Sequence, residues 1–138
     1  MPRSVLADAG VIVAYLVRRD EHHEWARAQF QRFPHFDTCD AALAEACARL
    51  QYYDLPPWLV VDLVREGALR PALNFRPAAD RVAALMQKYA DQPMDLADAC
   101  LVVMAENERD SLVVTTDGDF KVYRRFGREA IPRVDPYS

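Results

Sequence analysis

Apolar and polar positions along the chain switch between the short period of strands and the longer period of helices. Residues 4–7 form a short apolar run closed by Asp8, and residues 10–17 are apolar at a length that suits a buried helix. A second helix is expected from Asp20. Its first turn holds Asp20, Glu21 and Glu24, where the helix dipole favours anions, and Trp25, Ala28 and Phe33 form its apolar stripe. Residues 36–39 read as a strand, followed by Asp40 as the N-cap of a helix to residue 53 in which Leu43, Cys47 and Leu50 recur at helical spacing. Pro56 and Pro57 end that helix and open another over residues 59–65, which Gly67 stops. Residues 69–75 read as extended. A helix from Pro77 to about residue 90 places Val82, Leu85, Met86 and Tyr89 on one side, and Pro93 breaks it. Asp95 then caps a helix to about residue 107 carrying Leu96, Cys100, Val103 and Met104; residues 112–115 are a strand and Asp117-Gly118-Asp119 its turn.

Strands alternating with helices predict an α/β fold: a parallel sheet covered on both faces, with ligand sites beyond the carboxyl ends of its strands. Asp8 and Asp117 both fall at such ends. The length of 138 residues suits a single domain over residues 1–138. The longest apolar runs, residues 11–17 and 99–105, fall well short of the ~20 residues that span a bilayer, and no basic-then-apolar signal opens the chain. A soluble, cytoplasmic protein with no membrane partner is the expectation. Cys39, Cys47 and Cys100 are odd in number and widely spaced, and the latter two sit among apolar neighbours, which favours free thiols over a disulfide framework or zinc site. Seventeen basic against twenty-one acidic residues, a net charge of −4, argue against coating nucleic acid by bulk attraction.

Four carboxylates from separate segments then stand out: Asp8 after the first strand, Glu45 on a helix among small alanines, Asp98 near a helix start, and Asp117 after the last clear strand. Singly, each has an ordinary explanation. Asp8 caps the following helix, Glu45 pairs with Arg49 four residues on, Asp95 and Asp98 make a capping box, and Asp117-Gly118 is a turn. Jointly, at one edge of a parallel sheet, they suit hard divalent cations such as Mg²⁺ or Mn²⁺, which prefer carboxylate oxygens and activate water against phosphate. Without a cation they would repel one another, so stability is expected to be linked to cation binding.

The segments VLADAGVIVAYL, ALAEACARL, MDLADACLVVMAE and LVVTTDGDF, in this order and spacing over residues 4–126, resemble the PIN-domain family. The resemblance implies a three-layer α/β/α sandwich around a central parallel β-sheet and a Mg²⁺- or Mn²⁺-dependent ribonuclease site at one edge. By position it assigns catalytic and metal-binding roles to Asp8, Glu45, Asp98 and Asp117, with Asp119 as a further metal ligand and Asp8 and Asp98 foremost. The family's usual Thr or Ser after the first acid is Ala9 here, so Thr38, Thr115 or Thr116 is expected to hold the carboxylates instead. Small PIN proteins of this length most resemble VapC-like toxins of prokaryotic toxin–antitoxin pairs, which implies a homodimer, an RNA substrate and an antitoxin partner.

Lys121, Arg124, Arg125 and Arg128 follow Asp119 closely, and Lys121, Arg124 and Arg125 are the candidates for holding an RNA backbone. His22 and His23 point in different directions on a helix and read as surface polar residues. Phe30, Phe33, Tyr52, Tyr53 and Trp58 read as core or dimer-interface residues rather than base-stacking platforms. Neither the two-Asp pattern of a haloacid-dehalogenase phosphatase nor the paired acids and lysine of a receiver domain is found, and no glycine lies in a phosphate loop or nucleophile elbow. The remaining alternative is a non-catalytic PIN-like module that binds RNA or a protein.

Overall fold

The computed structural model describes residues 1–137. Five strands run parallel in one sheet: β1 (Ser4–Ala7), β2 (Phe36–Thr38), β3 (Leu69–Pro71), β4 (Ser111–Val114) and, last in the chain, β7 (Arg133–Val134). Between β4 and β7, β5 (Arg124–Arg125) and β6 (Glu129–Ala130) form a small antiparallel hairpin. Spatial order is β3-β2-β1-β4-β7. The chain therefore builds outward from β1 in one direction through β2 and β3, and in the other through β4, which leaves a crevice beyond the carboxyl ends of β1 and β4 where the order reverses.

Parallel strands must be covered on both faces, and alternation along them decides which residue faces which layer. Leu6 and Val113 pack with α5 (Phe75–Lys88) and α6 (Leu96–Asn107). Val5, Ala7 and Val114 point the other way, into a core built with α1 (Ala9–Leu16), α2 (His23–Arg32), α3 (Asp40–Tyr52) and α4 (Trp58–Arg65). The result is the three-layer α/β/α sandwich around a central parallel sheet. Phe33, Phe36, Leu50 and Leu69 are almost wholly enclosed in this second core. Each such side chain contributes roughly 1.5–3 kcal/mol of burial.

Several expectations shift in detail. The second helix starts at His23 rather than Asp20, because the Asp20 carboxylate accepts the backbone N–H of His22 at 2.8 Å and holds a turn ahead of the helix. Its buried face is Ala26 and Gln29, leading to Phe33; Trp25 is only half-buried and Ala28 is exposed. Asp40 is the first residue of α3 rather than its cap, a position held by Cys39. The helix expected from Pro77 begins at Phe75, with Pro77 in the first turn where no intrahelical N–H is required; Met86 is half-exposed while Val82, Leu85 and Tyr89 are buried. Gly67 ends α4 with a positive φ of 84°, as expected of a stop there. Cys39 and Cys100 are buried and all three cysteines are free. Phe33 is core, whereas Tyr52 and Trp58 are largely exposed. No helix among the described residues is long and apolar enough to cross a membrane.

Candidate active site

The crevice at the β1/β4 reversal holds a cavity of about 300 Å³. Asp8, Glu45, Asp98 and Asp117 all line it, and so does Asp95. Four segments deliver these acids, and in three of them the local cap that explains the acid also aims it at the cavity.

Asp8 ends β1 and caps α1, its Oδ1 accepting the N–H of Val11 at 2.8 Å. Its Oδ2 accepts the hydroxyl of Thr115, which follows β4. Burial dominates over both bonds and raises the Asp8 pKa to about 6. Asp95 and Asp98 form a full capping box at the start of α6: Asp95 Oδ1 accepts the Asp98 N–H at 2.8 Å, and Asp98 Oδ2 accepts the Asp95 N–H at 3.4 Å. The buried Tyr123 also donates its hydroxyl to Asp98 Oδ2 at 3.1 Å. Burial, followed by the charge of Asp95, pushes the Asp98 pKa up to about 7.

Asp117 caps the short 3₁₀ turn Gly118–Lys121 by accepting the N–H of Asp119 at 2.9 Å. Burial and the neighbouring Asp119 raise its pKa. Glu45 projects from the middle of α3, where burial and a hydrogen bond shared with the Asp95 carboxyl raise its pKa while the charge of Arg49 opposes both. Arg49, one helical turn further on, lines the same cavity. The expected pairing of Glu45 with Arg49 does not form a contact ion pair among the described residues; Arg49 acts on both Glu45 and Asp8 through the field across the cavity.

Gly10 sits at the rim. A Cβ on it would lie 2.1 Å from Thr116 Oγ1 and 3.4 Å from Asp8 Oδ1, so its lack of a side chain lets α1 start close against the segment after β4.

Of the hydroxyls expected to hold the carboxylates, Thr115 does so, bonding Asp8 and also accepting the N–H of Asp117 at 2.8 Å. Thr38 does not: its hydroxyl donates to the carbonyl of Ala7 at 2.8 Å, tying β2 to the end of β1. Thr116 lines the cavity beside Gly10 but bonds no carboxylate among the described residues. Asp119 stays off the cavity wall and acts through Asp117.

The basic run is a further correction. Arg125 is 3% exposed, donating from Nη1 to the carbonyls of Ala105 at 2.9 Å and Arg109 at 3.0 Å and from Nη2 to Glu129 at 3.0 Å. Strand alternation in the β5–β6 hairpin turns it inward, where it pins the hairpin to the end of α6. Arg124 is half-buried and donates from Nη1 to the carbonyls of Lys121, Val122 and Tyr123. Lys121 remains exposed. His23 rests its Nδ1 against the carbonyl of Ala14 at 2.8 Å and His22 meets Tyr137, so the pair is engaged locally.

Five carboxylates with no thiol or imidazole among the lining residues are a hard, all-oxygen donor set, and it fits a divalent cation such as Mg²⁺ or Mn²⁺. Their convergence is looser than a finished ligand cage. Among the described residues no group of three or more His, Cys, Asp or Glu is arranged to hold a metal ion. Each of three acids is held by a local partner instead: Asp8 by Val11 and Thr115, Asp98 by Asp95 and Tyr123, and Asp117 by Asp119.

No match is found among curated proteins. The PIN-domain family model, in contrast, matches residues 5–125, and the PIN domain is in general a metal-dependent nuclease fold. That span contains β1 from Val5 onward, the whole of β4 and all five acids of the cavity, and the chain belongs to the PIN-domain family.

Proposed function

We propose that this protein is a Mg²⁺- or Mn²⁺-dependent endoribonuclease that hydrolyses RNA phosphodiester bonds, and that it serves as the toxin of a VapC-like toxin–antitoxin pair. The observation that carries the reading is the gathering of Asp8, Glu45, Asp95, Asp98 and Asp117 from four separate segments into one cavity at the reversal of the sheet. A divalent ion, when bound, supplies charge neutralisation at the phosphate and an activated water for in-line attack. Asp8, Asp98 and Asp117 are the residues that would hold it, with Glu45 and Asp95 on the same cavity wall. Thr115 orients Asp8 and Tyr123 orients Asp98, so each carboxylate keeps one direction as it loses its proton. Burial, which raises the Asp98 pKa to about 7, leaves that carboxyl largely protonated in the cation-free protein below neutral pH.

Lys121, exposed beyond Asp119, would contact the RNA backbone at the rim. A homodimer, an antitoxin partner and a cytoplasmic location belong to the same proposal. The exposed Tyr52 and Trp58, at the end of α3 and the start of α4, suit a protein interface.

A second reading, a non-catalytic PIN-like module that holds RNA or a protein, draws on the loose arrangement of the acids. One assay separates them. A mixed RNA pool is incubated with wild type and Asp98→Asn in EDTA, Mg²⁺ or Mn²⁺. Cleavage that requires the cation and disappears in Asp98→Asn supports the nuclease; RNA retained intact by both proteins in every condition supports the module.

A further inference from the structure

A cavity walled by five acids meets an RNA strand that carries one negative charge per nucleotide, so something in the wall must make the approach favourable. The residues expected to do this from the sequence are largely committed: Arg125 is buried against α6 and Arg124 spends its guanidinium on backbone carbonyls. Arg49 is placed differently. Among the described residues it is the one basic side chain lining the cavity, it is exposed, and it forms no ion pair or hydrogen bond. Its field nevertheless reaches Asp8 and Glu45.

The ordinary account of Arg49 is that a cation in the last turn of α3 complements the helix dipole. That account explains a charge at this end of the helix but not its position on the cavity wall, within reach of two acids and bonded to neither. A guanidinium bonded to carboxylate would have to exchange one partner for another to take a ligand; one bonded to neither has its planar fork of donors available for a tetrahedral anion.

We propose that Arg49 is the phosphate anchor of this cavity, its guanidinium gripping a phosphodiester of single-stranded RNA as the strand lies against the acids. The proposal rests on the reading of the cavity as an RNA-processing site. Arg49 then serves two charges in turn. It moderates the repulsion among the carboxylates in the free protein and takes up phosphate in the complex. Its removal consequently has opposite effects on two ligands, weakening RNA and leaving a divalent cation as tightly bound or more so, because a nearby positive charge has gone.

The test uses the full chain in an Asp98→Asn background without divalent cation, so that RNA binds and is not cut. Anisotropy of a labelled single-stranded RNA is followed against KCl concentration for Arg49, Arg49→Lys and Arg49→Gln, with thermal unfolding as the check on folding. Arg49→Gln is expected to bind about 5- to 20-fold more weakly with a salt slope lower by about one, and Arg49→Lys to recover the slope but not the whole affinity. In the Asp98-containing protein, Mn²⁺ affinity measured by calorimetry should not fall in Arg49→Gln, an outcome that a general loss of structure does not produce. Equal affinity and equal salt slope for Arg49 and Arg49→Gln overturn the anchor and leave the nuclease reading standing. Failure of the Arg49 parent to bind RNA at all overturns the anchor, and failure of the wild type to cut RNA with Mn²⁺ present overturns the nuclease reading on which it rests.

Discussion

Thr115, the residue after β4, donates its hydroxyl to the carboxylate of Asp8, the residue after β1. The register of the two strands, with Ala7 opposite Val114, makes them neighbours one step beyond the sheet. Ala9 gives Asp8 no hydroxyl within its own segment, and the adjoining strand supplies one. The same Thr115 oxygen accepts the N–H of Asp117, so one hydroxyl fixes the first and last acids of the site relative to each other.

Thr115→Val should therefore do more than remove a methyl-sized polar group. We expect a loss of about 1–3 kcal/mol in unfolding free energy, from an unmet buried carboxyl and an unmet N–H, and an Asp8 pKa above its present value of about 6. Denaturant unfolding reads the first and the acid limb of the pH–rate profile the second. Thr115→Ser should retain both properties; equal losses in the Ser and Val variants would contradict a role for the hydroxyl.

Stability of the cation-free protein should fall as pH rises. Asp8 and Asp98 have folded pKa values of about 6 and about 7 against an ordinary 3.8, both raised first by burial. A raised carboxyl contributes stability that is complete below the unfolded value and is lost as pH climbs through the folded one. Between about pH 5 and about pH 8 the loss should be on the order of 4 kcal/mol. Urea midpoints across this range check it, and a midpoint that rises from pH 5 to pH 8 contradicts it.

Gly10→Ala should disturb the site chiefly through Thr116. The new Cβ meets Thr116 Oγ1 at 2.1 Å, while its distance of 3.4 Å from Asp8 Oδ1 is ordinary contact. We expect destabilisation of about 1–3 kcal/mol from this overpacking. Gly10→Ala/Thr116→Ala should recover most of it, since the clashing oxygen is gone. Unfolding of the two single variants and the double variant forms a cycle, and additive effects would show that the contact is not the cause.

Arg125 and Lys121, four residues apart, should separate cleanly. Arg125→Ala leaves the carbonyls of Ala105 and Arg109 without their donor and should cost about 2–4 kcal/mol, visible as a lower unfolding midpoint. Lys121→Ala should leave the midpoint unchanged and weaken RNA binding with a shallower salt dependence. A midpoint unaffected by Arg125→Ala would return that arginine to the surface.

Where one local signal decides a structure, the sequence is a good guide. The apolar run before Asp8, the Asp95–Asp98 box and residues 112–115 each carry such a signal, and β1, α6 and β4 lie within a residue of expectation. The strands of two residues, β5, β6 and β7, are too short for any period to register. Four acids of the cavity were legible because two follow strands, one stands near a helix start and one lies on a helix among small alanines, in an order and spacing that resemble the PIN-domain family. Asp95 was legible only as a cap, since nothing local shows that capping α6 and lining the cavity are done by one side chain. Tyr123 and Arg49 reach the site from positions 25 residues after Asp98 and one turn after Glu45, through packing that spacing does not encode. Arg125 misled for a related reason: a row of basic residues looks like a surface, and a two-residue hairpin strand turns alternate members inward.

If the five acids form one cation site, thermal unfolding with and without Mn²⁺, in wild type and Asp98→Asn at neutral pH, will register the ion as added stability. Mn²⁺ is expected to raise the wild-type midpoint, by an increment that grows with concentration, and Asp98→Asn to diminish the increment. An unchanged wild-type midpoint at millimolar Mn²⁺ would contradict the cation site, leaving Asp8, the Asp95–Asp98 box and Asp117 as the caps of α1, α6 and the turn after β4.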